Sequence, residues 1–178
     1  MPDFLHKNRL FFYGIAIATI AAWLDLWSKK AAFTFLEAKN YALKITEFFN
    51  LVTVWNNGVS FGMFSNFESA KFFILTTNLI ILAILLIWLW RNQTIYLSWA
   101  LGLVIGGALG NIIDRIENGA VADFLDFHYM GYHWPAFNLA DSFIFIGVTL
   151  LLLEGFFVKD SLKKSANSNQ SQNKEKNA

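Results

Sequence analysis

The sequence predicts a polytopic α-helical membrane protein: four transmembrane helices with a small β-cradle on the outer, periplasmic face. Three observations predict it. Hydrophobic residues make up 56% of the 178 and charged residues only 15%, against about 25% charge in an ordinary soluble domain. Four runs, Leu10–Trp27, Phe72–Trp90, Ile95–Ile113 and Phe137–Val158, reach the roughly 17–25 mostly apolar residues that a bilayer crossing needs. Between the first two runs the pattern turns from continuous to alternating, which marks short strands.

Residues 1–9 are expected to be a short cytoplasmic segment, followed by a four-helix membrane domain over 10–158. The first run has the basic flank of a signal peptide, and Ala16-Ile17-Ala18 resembles a cleavage site. That triplet lies inside the apolar run rather than after it, so an uncleaved first helix is expected. The cradle is placed at about 31–68. Tyr41–Thr46 alternates, Phe49–Trp55 is rich in β-formers, and Asn56-Asn57-Gly58 is a turn signal. The short link Arg91–Thr94 makes the second and third spans an antiparallel pair. Gly102, Gly106 and Gly110 recur every fourth residue in the third span, a spacing that lets helix backbones approach closely. No strand precedes them and they sit in an apolar run, so packing accounts for them better than a nucleotide site. Residues 159–178 are polar and of low complexity, and are expected to be a disordered cytoplasmic tail.

Orientation follows from the basic residues, which concentrate in cytoplasmic segments. With the N-terminus inside, Lys7, Arg9, Arg91, Lys159, Lys163, Lys164, Lys174 and Lys176 are cytoplasmic, while most acids face outward. Lys29, Lys30, Lys39, Lys44 and Lys71 lie on the outer side and dilute the bias. Both termini are expected in the cytoplasm. The chain contains no cysteine, which excludes disulfides, thiolate metal sites and a cysteine nucleophile.

Ionisable groups in or beside spans are expensive and point to function by default. Asp25, Asp114, Asp123, Asp141 and Glu154 are the acids so placed. Asp25 is four residues from Lys29, the spacing of a helical ion pair, which favours a supporting role. Glu154 is read as snorkelling or pairing with Lys159. Asp114 and Arg115 could simply meet water at a helix end. With Asn111 they also put a carboxylate, a guanidinium and an amide on about one helical turn, where they could hold a polypeptide backbone. Asn138 and Asp141 in FNLAD have capping-box spacing, and a helix N-terminus favours a charged carboxylate. A second carboxyl approaching Asp141 would then tend to keep its proton, the asymmetry of an aspartic dyad. VADFLDF (121–127) can supply that carboxyl. Its alternation suggests an extended segment, in which Asp123 and Asp126 point to opposite faces. Periodicity alone does not choose between them. His128 and His133 are five residues apart, not a helical metal pair, and Ser60 and Ser142 lack a partner base at a suggestive position.

Five stretches in order carry a resemblance: DLWSK (25–29), NNGVSFGMF (56–64), GGALGNIIDR (106–115), VADFLDF (121–127) and FNLAD (137–141). Together they resemble the lipoprotein signal peptidase (type II signal peptidase) family of bacterial membrane aspartyl proteases. The resemblance implies Asp123 and Asp141 as the catalytic dyad, and Asn56, Asn111, Arg115 and Asn138 as substrate contacts. It implies supporting roles for Asp25, Lys29, Gly58 and Asp114. Asn57, often aromatic in the family, and Val59-Ser60, in place of two small residues, depart from the pattern without touching the dyad. The implied activity is an aspartic endopeptidase that removes the signal peptide from diacylglyceryl-modified prolipoproteins, cutting before the lipidated cysteine. No metal or organic cofactor is implied. The implied partners are the prolipoprotein substrates, membrane lipids and the inhibitor globomycin, with no nucleic acid and a monomeric chain in the bacterial inner membrane. Two other classes fit the composition, a proton-coupled transporter component and a non-catalytic scaffold. A proton relay would put its acids deep in the spans, whereas here they cluster at one edge.

Overall fold

A computed structural model describes residues 2–58, 67–92 and 94–155. Four helices and a small sheet follow one another as α1 (Pro2–Glu37), β1 (Ala42–Lys44), β2 (Phe49–Asn56), α2 (Phe67–Arg91), α3 (Ile95–Asn118), β3 (Val121–Tyr129) and β4 (Tyr132–His133), then α4 over 139–155. Among the described residues, three helices are long and apolar enough to cross a membrane: Asn8–Glu37, Lys71–Arg91 and Ile95–Asn118. The expected fourth span begins two residues before α4, and its last residues, 156–158, lie outside the described residues, as do 59–64 of NNGVSFGMF and the tail 159–178.

Helix α3 is the centre of the bundle, with Leu101 and Ile105 fully buried beside Ala18 of α1 and Leu82 and Leu89 of α2. Its glycines let α1 lie against it. A side chain at Gly106 would collide with the Ala18 carbonyl, and one at Gly110 with the Asp25 carboxylate. The faces turned away from the bundle are apolar too. Phe72 is 74% exposed, Ile84 58% and Phe145 74%, which suits helices whose outer surface meets lipid rather than water.

Two boundaries differ from the sequence expectation. Helix α1 does not end with its apolar run but continues to Glu37, so the strands begin at Ala42 rather than near residue 31. Residues 28–37 mix Ala, Phe and Leu with Ser, Lys, Thr and Glu, so the helix continues beyond the point where the unbroken apolar run ends. The cradle also recruits VADFLDF: β1, β2, β3 and β4 form one antiparallel sheet in that order. The register of β2 on β3 shifts by one residue between Leu51 and Val54. Side chains alternate along a strand, so such a bulge reverses which face each later residue serves. Asn50 and Asn56 therefore serve opposite faces, although six residues apart.

Candidate active site

The site forms where the sheet meets the ends of three helices. A clamp sets its geometry. Phe137 bridges to Leu125 through paired backbone hydrogen bonds of 2.9 and 3.1 Å, which delivers the start of α4 to the face of β3 that carries Asp123. Asn138 then caps α4 reciprocally. Its Oδ1 accepts from the Asp141 N–H at 3.0 Å, and its own N–H donates to Asp141 Oδ2 at 3.3 Å. This is the capping box that the spacing predicted.

Asp123 is 1% exposed. Its Oδ1 accepts from Asn138 Nδ2 at 2.7 Å, and its Oδ2 from Asn56 Nδ2 at 3.0 Å. Asp141 is half-buried and accepts at Oδ1 from Asn111 Nδ2 at 2.9 Å. The two carboxylates are thus joined through amides, because Asn138 Nδ2 also reaches Asn111 Oδ1 at 3.2 Å. Each amide oxygen is claimed by another donor: Gly58 N–H on Asn56 at 2.8 Å, Lys29 Nζ on Asn111 at 3.0 Å and Asp141 N–H on Asn138. All three NH₂ groups are thereby turned toward an acid. Gly58 reaches its place with φ +71°, and a side chain there would press on Ile74, so a backbone turn that favours glycine fixes the Asn56 amide.

Burial pushes the Asp123 carboxyl up to about 6, against the hydrogen bond from Asn56, and the negative charge of Asp141 pushes the same way. The Asn138 amide and the positive charge of Lys29 pull it back. Asp126 behaves differently. Its partners are Asn50 Nδ2 at 2.8 Å and His133 Nδ1 at 2.9 Å, on the other face of the strand. Burial would raise its carboxyl, but these bonds and the charges of the two histidines outweigh it and hold the group below its usual range.

Behind these two carboxylates lies a buried ion cluster. Lys29 is 3% exposed, and its Nζ sits 2.6 Å from Asp25 and 2.9 Å from Asp114 as well as on Asn111. The expected pair with Asp25 forms, but buried rather than at an exposed interface. Asp25 Oδ1 accepts from the Ala140 N–H of α4 at 2.8 Å, and Asp114 Oδ2 from the Ala122 N–H of β3 at 3.1 Å. Two acids with supporting roles in the sequence reading thereby fix the two elements that carry Asp123 and Asp141. Arg115 Nη1 holds the Asn111 carbonyl at 3.0 Å, and its charge acts on Asp141, Asp123 and Asp114.

All ten site residues named from the sequence meet in this one cluster. Sequence reasoning missed Asn50 and His133 as partners of Asp126, and the Ala122 and Ala140 N–H groups as partners of the buried acids. No spacing could have shown contacts that depend on β-register and on a pair 115 residues apart. His128 and His133 stack at 4.9 Å on the β3–β4 hairpin, and among the described residues no group of three side chains could hold a metal.

Residues 17–157 match the family model described as "Signal peptidase (SPase) II". The "Lipoprotein signal peptidase" of Francisella tularensis subsp. mediasiatica (strain FSC147) is 43% identical over 159 residues, 87% of this chain and 97% of that protein. The protein of the same name from Aeromonas hydrophila subsp. hydrophila is 43% identical over 155 residues, 85% and 91% of the two chains. A solved structure described as "Bacterial membrane enzyme structure by the in meso method at 2.3 A resolution" superposes with a TM-score of 0.66 at 30% identity, covering 83% of this chain and 88% of that one. A second, at 1.9 Å, gives 0.65 at 31% identity over 79% and 90%. A match across most of the chain and these identities establish that the chain belongs to the signal peptidase II family.

Proposed function

We propose that this chain removes the signal peptide from diacylglyceryl-modified prolipoproteins by an aspartic mechanism, with Asp123 and Asp141 as the dyad and cleavage just before the lipidated cysteine. The observation that carries the reading is the amide bracket. Three asparagine NH₂ groups converge on two carboxylates, one of them almost completely buried, at the junction of the sheet with the helix ends.

The asymmetry of the pair supports a division of roles. Asp123, almost completely buried and pushed up to about 6, is the partner that takes up a proton more readily. Asp141, at a helix N-terminus and bonded by Asn111 and the Asn138 N–H, is the base. Asp141 takes a proton from a water as its oxygen attacks the scissile carbonyl, and Asp123 gives its proton to the carbonyl oxygen. When the tetrahedral intermediate collapses, the proton on Asp141 passes to the leaving nitrogen of the cysteine. Asp123 recovers its own proton from the hydroxyl that becomes the new carboxyl carbonyl. Arg115, with one nitrogen on the Asn111 carbonyl, and the amides of Asn56, Asn111 and Asn138 hold the substrate backbone. The chemistry draws on no metal or organic cofactor.

The same reading gives the topology. The 139–155 helix extends into a fourth span, both termini are in the cytoplasm, and the sheet and dyad face the periplasm at the edge of the inner membrane. A substrate held by its own acyl chains then reaches the dyad laterally, and globomycin competes for the same cleft. The chain acts as a monomer.

The test uses purified full-length protein in detergent with a diacylglyceryl prolipoprotein, the products being identified by mass and the assay repeated with a metal chelator. The expected result is a new N-terminus at the lipidated cysteine, chelator or not. Asp141→Asn should lose roughly 10²–10⁴-fold in rate, the usual contribution of a general base. Full cleavage by Asp141→Asn, or loss of activity with the chelator, contradicts the mechanism.

A further inference from the structure

Outside the site, a groove of about 330 Å³ opens between α1, α3 and the edge of β2. Leu26, Lys30 and Phe33 line it from α1, Ile113 and Glu117 from α3, and Trp55 from β2. On each helix these residues recur at three- and four-residue spacing, so each helix gives the groove one continuous face. The Lys29–Asp114 ion pair closes the floor and is already satisfied. Lys30 and Glu117 are exposed and make no ion pair with each other or with another described residue. Among the described residues, the groove therefore presents Lys30 and Glu117 without ion-pair partners above an apolar wall.

Its height is marked by aromatics. Trp23 and Trp27 stack on the outer face of α1 and are 61% and 60% exposed, and Trp27 lies about one turn before Lys30. Trp55, 48% exposed, meets Phe33 edge-on at 5.0 Å. Tryptophan gathers at membrane–water interfaces, where its ring is apolar and its N–H is wet.

We propose that this groove binds a zwitterionic aminophospholipid, with Lys30 on the headgroup phosphate, Glu117 on the primary ammonium, and the acyl chains running along Leu26 and Ile113. A primary ammonium donates charge-assisted hydrogen bonds to a carboxylate, which a choline group cannot do. A phosphatidylglycerol headgroup offers Glu117 only neutral hydroxyls and no ammonium. The bound lipid backs onto Asp114, which holds the Ala122 N–H of β3 next to the catalytic strand position.

The test offers the full-length protein in mild detergent equal amounts of dioleoyl phosphatidylethanolamine, phosphatidylcholine and phosphatidylglycerol, and measures retained lipid by native mass spectrometry. The ethanolamine lipid should be retained about two- to fivefold over the other two, the range for a partly exposed ion pair. Glu117→Gln should bring the three lipids to near parity, and Lys30→Gln should lower retention of all of them. Equal retention by the unaltered protein, a preference for phosphatidylcholine or phosphatidylglycerol, or an ethanolamine preference that survives Glu117→Gln overturns the proposal.

Discussion

At one end of the bundle Lys29 sits between two carboxylates and an amide. At the other, Asn92 sits between a hydroxyl and backbone groups. Asn92 is 2% exposed. Its Nδ2 donates to Thr94 O at 2.8 Å and Ser98 Oγ at 2.7 Å, its Oδ1 accepts from Thr94 N–H at 2.8 Å, and Ser98 Oγ donates to Leu10 O at 3.0 Å. Both clusters are polar groups buried in an apolar bundle, and both tie α1 to α3. The Asn92 knot is neutral and closed, so it stabilises the α2–α3 turn and offers nothing to a reactant. The Lys29 cluster carries net charge and ends on two carboxylates that still have lone pairs to offer. The neutral cluster thus serves as a joint, whereas the charged one backs the carboxylates proposed to react.

The comparison breaks most severely at Lys29. Lys29→Met leaves Asp25 and Asp114 buried without their cation, which should cost about 3–5 kcal/mol. It should also release the Asn111 amide, and cleavage with it. Thermal unfolding in detergent alongside a cleavage assay checks both, and a variant as stable and active as the original refutes the role given to the cluster.

Asp123→Asn sharpens the comparison with pH. The rise of the carboxyl from 3.8 to about 6 corresponds to about 3 kcal/mol. Because the folded value lies above the unfolded one, that stabilisation is complete below pH 3.8 and is lost as pH rises through about 6, where folding must bury a charge. The asparagine carries no such charge. The variant should therefore be more stable than the original at pH 8, by up to about 3 kcal/mol, with the gap closing below pH 4. Equal unfolding midpoints at both pH values contradict it.

At the other end, Asn92→Ala should cost about 1–3 kcal/mol, the penalty for stranding buried hydrogen-bonding groups, while the cleavage rate per folded molecule stays unchanged. A rate lost without stability would mean that the joint takes part in the chemistry.

The helices were legible because lipid-facing and core-facing residues are both apolar here, so each span reads as an unbroken run. The extension of α1 to Glu37 was not, since Ser28, Lys29, Lys30, Thr34 and Glu37 interrupt the apolar run there. Alternation in VADFLDF showed that Asp123 and Asp126 part company. Which of them meets the helices depends on the Phe137 clamp and on the bulge in β2, both products of long-range pairing. Asn111 was legible beside Arg115 on one helix end. The amide orientations were not, because each is set by a donor from elsewhere: Gly58 by a turn, Lys29 by a contact across 82 positions. Asn92 drew no notice, since a lone amide after a helix reads as a turn residue.

The central claim is that one aspartate of VADFLDF reacts and the other only supports. Asp123→Asn and Asp126→Asn, assayed side by side on a diacylglyceryl prolipoprotein at matched folded concentration, test it directly. Asp123→Asn should lose cleavage by roughly 10²–10⁴-fold. Asp126→Asn, whose partners Asn50 and His133 lie on the opposite face, should keep most of its activity and lose about 0.5–1.5 kcal/mol of stability, the net worth of a hydrogen bond. Full activity in the first variant, or its loss in the second with the fold intact, would contradict it.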